Sequence, residues 1–274
     1  MRISLHRSVI ILLGTLSALL AQNLSRVPDV RQIVESSTAA TQRSWQQRLH
    51  YTYVTREESL RRGPDGPVQS QDVDVSKTIL VNGIPFEQLV EHNGQPLSAE
   101  EERKQKEDLD KLKRETPAQR AGRLRKEADE NTSLIGQVPK AFDFQLAGED
   151  VVEGRPAYVL QATPHPGYQA QGKYGKMFSR VKGRLWVDKQ DLGWIKVDAQ
   201  VIQPFSMGFF LARVQPGSHI TMEQTRVNDG IWMPKLIQVR AAAKIFFLKN
   251  LAIEKVLRYS EYARSQPATT KMVK

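Results

Sequence analysis

The chain has 274 residues and no cysteine. That absence excludes disulfides, thiolate zinc sites and thiol catalysis, and it removes the residue through which a lipoprotein would be acylated. Long apolar runs are scarce too. Val9–Ala21, at 13 residues, falls short of the roughly 20 that a membrane-crossing helix needs, and no later charge-free stretch approaches that length. Histidine is sparse. His50, His92, His165 and His219 follow the N-terminal segment, none with a His or Glu at metal-binding helical spacing. No Gly-x-Ser-x-Gly elbow occurs. The sequence therefore assigns no metal ligand, no cofactor and no catalytic residue.

One motif invites a phosphate-binding reading. Gly167-Tyr168-Gln169-Ala170-Gln171-Gly172-Lys173-Tyr174 has the spacing of a P-loop up to its last position. There Tyr174 replaces the Ser or Thr that would hold magnesium, and Pro164, Pro166 and Gly175 surround it instead of a strand-to-helix junction. The motif is read as a loop.

What is present begins with an export leader. Arg2 and Arg7 precede the apolar run, and Ala21 offers a small residue for cleavage, expected close to Ala21–Gln22. Residues 1–22 are read as a signal peptide, which places the mature chain in the periplasm or outside the cell. The net charge of +10 is uneven. Residues 100–130 hold ten acidic and ten basic side chains, whereas residues 173–274 hold 18 Lys and Arg against seven Asp and Glu. The excess thus lies in the C-terminal part. For an exported chain its counterparts would be an anionic membrane surface or an envelope partner, and no nucleic acid is expected.

The periodicity then divides the chain. Asp29 with Gln32 marks a helix start, and Val30, Ile33, Val34, Ser37, Thr41 and Trp45 share one helical face. From Leu49 the period becomes two, as in a half-buried strand. Asn82-Gly83, between Val73–Val81 and Ile84–Glu91, is a strong hairpin signal because both residues tolerate positive φ. Ser98 and Glu101 open a highly charged helical insertion over about 98–130, to be broken at Pro117, with a further short helix over Leu134–Phe142. From Phe142 the pattern is almost wholly β. In Trp194–Ile202, Ile195, Val197, Ala199 and Val201 are expected on one face, and Phe205–Val214 is read as one strand. Ala241–Tyr262 is assigned to strand, and Ser265–Lys274 to a disordered tail. Residues 23–264 are read as one domain.

Gly183-Arg184-Leu185-Trp186-Val187-Asp188, a turn, then Trp194-Ile195-Lys196-Val197 resembles the strand pair of the outer-membrane lipoprotein-sorting (LolA/LolB-like) superfamily. Gly230-Ile231-Trp232-Met233-Pro234 and Tyr259-Ser260-Glu261-Tyr262 are similar to its terminal strands. The resemblance spans about residues 29–264 and departs at the charged insertion. It implies an α+β fold, an unclosed and strongly curved antiparallel sheet whose concave face is covered by helices, holding lipid or acyl chains. The expectation is accordingly a non-catalytic carrier for a lipid or another hydrophobic small molecule. Its apolar lining is assigned to Phe205, Met207, Phe209, Trp186, Trp232 and Phe246. A sensor or interaction module that binds a partner protein or anionic polymer stands as the alternative.

Overall fold

The computed structural model describes residues 29–63, 66–207, 212–227, 230–245 and 249–265. Its first element is helix α1 (Val30–Arg48), where the Asp29 carboxylate accepts the Arg31 and Gln32 amides as the N-cap. Strands β1 (Tyr51–Arg62), β2 (Val68–Val81) and β3 (Ile84–His92) follow. Asn82 and Gly83 both have positive φ, at 52° and 81°, so the β2–β3 hairpin closes on a two-residue primed turn.

The charged segment forms α2 (Ala99–Arg114) and α3 (Pro117–Ala141). Each begins with a capping box, Ser98 with Glu101 and Thr116 with Gln119, and Pro117 divides them as its missing amide requires. The separate short helix expected from Leu134 is instead the C-terminal part of α3. Leu134, Ile135 and Val138 dock under the helical cover, and that packing carries the helix through the weak formers Asn131, Thr132 and Ser133.

Then come β4 (Phe142–Val152), β5 (Arg155–Pro164), the short α4 (Gly172–Phe178), β6 (Val181–Asp188) and β7 (Trp194–Val201). They are followed by β8 (Phe205–Met207), β9 (Ala212–Val214), β10 (His219–Arg226), β11 (Trp232–Ile245) and β12 (Lys249–Arg264). The expected strand 205–214 is thus a hairpin in which Phe205 pairs with Val214, and it joins the sheet through β11. Within Ala241–Tyr262, Ala241–Ile245 and Lys249–Tyr262 are strand and pair antiparallel with each other, while residues 246–248 lie outside the described residues.

The sheet is antiparallel in the order β3-β2-β1-β12-β11-β10-β7-β6-β5-β4, so β3 and β4 are edges and the sheet is not closed. This is the α+β half-barrel expected from the sequence. Helices α1 and α3 lie on one face, over a core of Ile33, Val34, Ile135, Leu160, Leu185, Val187 and Trp194. Small hydroxyls fasten α1 to the sheet: Ser37 Oγ accepts Trp194 Nε1 at 3.1 Å, and Ser44 Oγ accepts the Trp232 amide at 2.9 Å.

A second cluster, Ala157, Trp186, Ile195 and Trp232, sits on the opposite face. Ile195 was expected to share a face with Val197 and Ala199. A register shift in the β6–β7 pair, where Trp186 faces Lys196 but Val187 faces Trp194, turns Ile195 to the other side.

Candidate functional site

Two cavities lie between the helices and the sheet. The first, of about 310 Å³, is bounded by Thr41 and Trp45 of α1, Leu134, Ile135 and Val138 of α3, Met177 and Phe178 of α4, and strands β4, β5, β6, β7 and β10. Its origin is visible in the ladder. Leu146, Leu160, Leu185, Val197 and Met222 form one cross-strand row of large apolar residues. The neighbouring row reads Phe144, Ala162, Gly183, Ala199 and Ile220. Three successive small residues leave the sheet without side chains long enough to meet the helices, and the void lies over them. Ile220, 43% exposed, stands at the end of that row.

The second cavity, of about 300 Å³, shares Trp45, Ile135 and Met222 with the first as a common wall. Its other boundaries include Arg48, Tyr51, Tyr53, Met233, Ile237 and Tyr259, with Glu127, Asn131 and Thr132 of α3 above. The two voids therefore run side by side beneath α1 and α3. Volumes near 300 Å³ reach the lower end of the range occupied by small-ligand pockets.

Polar furnishing is uneven. Around the apolar cavity, Thr41 Oγ1 is buried with no hydrogen-bond partner among the described residues. The second cavity holds Arg48, the last residue of α1. Its Nε donates to the Trp232 carbonyl at 2.9 Å, an Nη2 proton goes to Gln224 Oε1, and the guanidinium lies 4.7 Å from the centre of the Trp45 ring. Gln224 is itself fixed by donating to the Trp194 carbonyl at 2.6 Å. Among the described residues no carboxylate pairs with Arg48. Desolvation lowers its pKa to about 10, opposed by the surrounding tyrosines, so it remains a cation at neutral pH.

Those tyrosines cluster tightly. The Tyr53 ring lies 5.8 Å from that of Tyr259 and 5.7 Å from that of Tyr262. Burial raises the Tyr259 phenol to about 12 and pushes Tyr262 upward as well, so both stay neutral donors.

The residues assigned from sequence fall elsewhere. Trp186 and Trp232 belong to the cluster with Ala157 and Ile195. Trp186 Nε1 donates to Asp150 and Trp232 Nε1 to Asp191, each at 3.0 Å. Phe205 is half-buried in the β8–β9 hairpin and borders neither cavity. Phe209, Phe246 and the Met207 side chain lie outside the described residues. The structure brings together instead Trp45, Leu185, Val197, Ala199 and Met222. Sequence reasoning passed over Arg48 as the basic last turn of a helix. The residue that a pattern could have flagged is Gly183, a glycine inside an otherwise regular strand.

The fold and cavity define a class: an open antiparallel half-barrel with a helical cover over an apolar hollow. Solved structures similar to this chain include a DUF1329 family protein from Desulfovibrio piger, 13% identical, covering 84% of this chain and 92% of that one at a TM-score of 0.31. A LolA superfamily protein from Nitrosomonas europaea is 11% identical, with 85% and 94% covered and a TM-score of 0.30. An outer membrane lipoprotein-sorting protein domain from Vibrio parahaemolyticus is 8% identical, with 84% and 93% covered and a TM-score of 0.31. No model of a protein family matches the chain, and no curated protein does.

Proposed function

We propose that this chain is an exported, non-catalytic binding protein that carries a lipid or other hydrophobic molecule by an acyl chain in the cavity over Ala162, Gly183 and Ala199. The observation that carries the reading is the cavity itself. An open hollow of about 310 Å³ with mostly apolar walls is costly to leave in contact with water. An acyl chain covers those walls and needs few polar partners. Nothing in this role requires a positioned nucleophile or metal. Export rests on residues 1–22; among the described residues no helix is long and apolar enough to cross a membrane.

The test is titration of the exported, delipidated protein with a fluorescent fatty acid, beside native mass spectrometry of the protein as purified. Saturable binding and a co-purifying lipid mass support the reading. Val197→Glu, in the cavity wall, should lose binding at least tenfold, about 1.4 kcal/mol, and still melt cooperatively. Leu160→Glu, at a fully buried core position, should fail to fold. Absence of binding by the wild type would sink the carrier and leave the interaction module.

A further inference from the structure

A desolvated cation with no counter-ion among the described residues is an unusual neighbour for an apolar cavity. Arg48 is half-buried and borders the second void, yet its described partners are one backbone carbonyl and one amide oxygen. These bonds use two of the five guanidinium N–H groups, leaving three to be satisfied. Taking a charge out of water without an opposite charge is expensive. The chain makes the opposite choice at Arg155, whose guanidinium meets Asp188 at 2.6 and 2.8 Å. Glu127 borders the same cavity as Arg48 from α3, but it is exposed and forms no ion pair with it. Tyr259 and Tyr262 are kept neutral by burial and do not supply the missing charge.

The placement of Arg48 matters as much as its charge. Trp45 stacks against the guanidinium and also forms part of the wall common to both voids. A molecule lying along that wall would have its polar end at Arg48 and its apolar length over the small-residue row. Gln224 borders the apolar cavity and grips Arg48 from the other side, holding the head position in register with the tail position.

We infer that the ligand is an anionic amphiphile, a fatty acid whose carboxylate pairs with Arg48 while its chain occupies the apolar cavity. The inference rests on the carrier reading and adds the class of ligand. A carboxylate is planar and accepts two parallel N–H bonds from a guanidinium, which matches the donors that Arg48 has left.

The test compares two probes of equal chain length, hexadecanoic acid and hexadecan-1-ol, in displacing the neutral dye Nile red from the full mature chain. Wild type should bind the acid at least tenfold more tightly than the alcohol. Arg48→Gln should remove that preference, bringing the acid within about twofold of the alcohol. Arg48→Lys, which keeps the charge but not the fork, should retain part of it. If wild type binds acid and alcohol equally, the ion-pair inference is overturned and the carrier reading stands. If neither binds, the carrier reading falls and the inference with it. The wild-type comparison needs no variant to fold, so instability of Arg48→Gln leaves it decisive.

Discussion

Ala199→Leu separates a ligand cavity from an ordinary core. Ala199 is the last of the three small residues in the row, with Gly183 beside it on β6 and Ile220 on β10. Leucine adds three carbons over the void of about 310 Å³. At about 0.8 kcal/mol for each buried methylene, filling empty space would stabilise the protein by at most about 2.4 kcal/mol. In a filled core the same change is overpacking and costs about 1–3 kcal/mol. The two cases thus differ in sign. Ala157→Leu provides the contrast, because Ala157 is fully buried in the cluster with Trp186, Ile195 and Trp232 and borders neither of the two cavities. Urea titration should show Ala199→Leu unchanged or more stable at constant m-value, and Ala157→Leu less stable. Fatty-acid affinity of Ala199→Leu should fall at least tenfold, since the space removed is the space the acyl chain needs. A loss of more than about 1 kcal/mol in Ala199→Leu, with binding intact, would refute the cavity argument.

Gly193→Ala should destabilise by about 1–3 kcal/mol in thermal or urea unfolding, because a Cβ there would sit 1.9 Å from Trp232 Nε1. Asp188→Ala should cost about 1.5–3 kcal/mol by removing the buried carboxylate that Arg155 grips and leaving that guanidinium only Asp191 at 3.3 Å, read as a lower denaturation midpoint. Burial opposes ionisation of Asp188, but Arg155 and the Gln190 and Asp191 amides outweigh it and hold its carboxyl below the usual value. Its contribution is therefore complete above the unfolded-state pKa of about 3.9 and is lost as pH falls through the folded value. An acid-unfolding curve that does not shift in Asp188→Ala would contradict this. Replacing Glu100–Glu127 by a short Gly/Ser linker should leave one cooperative melting transition, since Leu112 is the one buried large apolar side chain of α2 and the core-facing residues of α3 lie beyond Glu127.

Much of the fold is written locally. The Asp29 cap, the Asn82-Gly83 turn, the Ser98–Glu101 box and the break at Pro117 each depend on neighbours within a few residues, and the structure reproduces all four. The failures have a common physical cause. Alternation in β7 assumes an unbroken pleat, and one bulge sends Ile195 to the other face. The 205–214 run carries apolar residues compatible with one strand, while its reversal needs pairing between Phe205 and Val214. The candidate site lies further still from local reach. Ala162, Gly183, Ala199 and Ile220 come from four strands, and only the registers of three strand pairs align them. Aromatic density pointed to Trp186 and Trp232, which belong to the cluster with Ala157 and Ile195 instead. Large side chains mark where space is filled; a hollow is marked by small ones.

An unclosed sheet also leaves two edges at which another strand could pair. Its margins, β3 and β4, carry backbone groups that could template a strand from a second molecule. At one margin α2 intervenes: Gln105 Oε1 accepts the Leu89 amide at 2.7 Å, satisfying a donor that would otherwise face outward. At the other, the register shift at Leu146/Gly148 disrupts the ladder, and Asp143, Glu149 and Asp150 place negative charge along the strand. The charged insertion thereby satisfies part of the β3 edge. Its removal would be felt less in the melting curve than in the sedimentation profile at high protein concentration, where strand-to-strand dimers would emerge through β3.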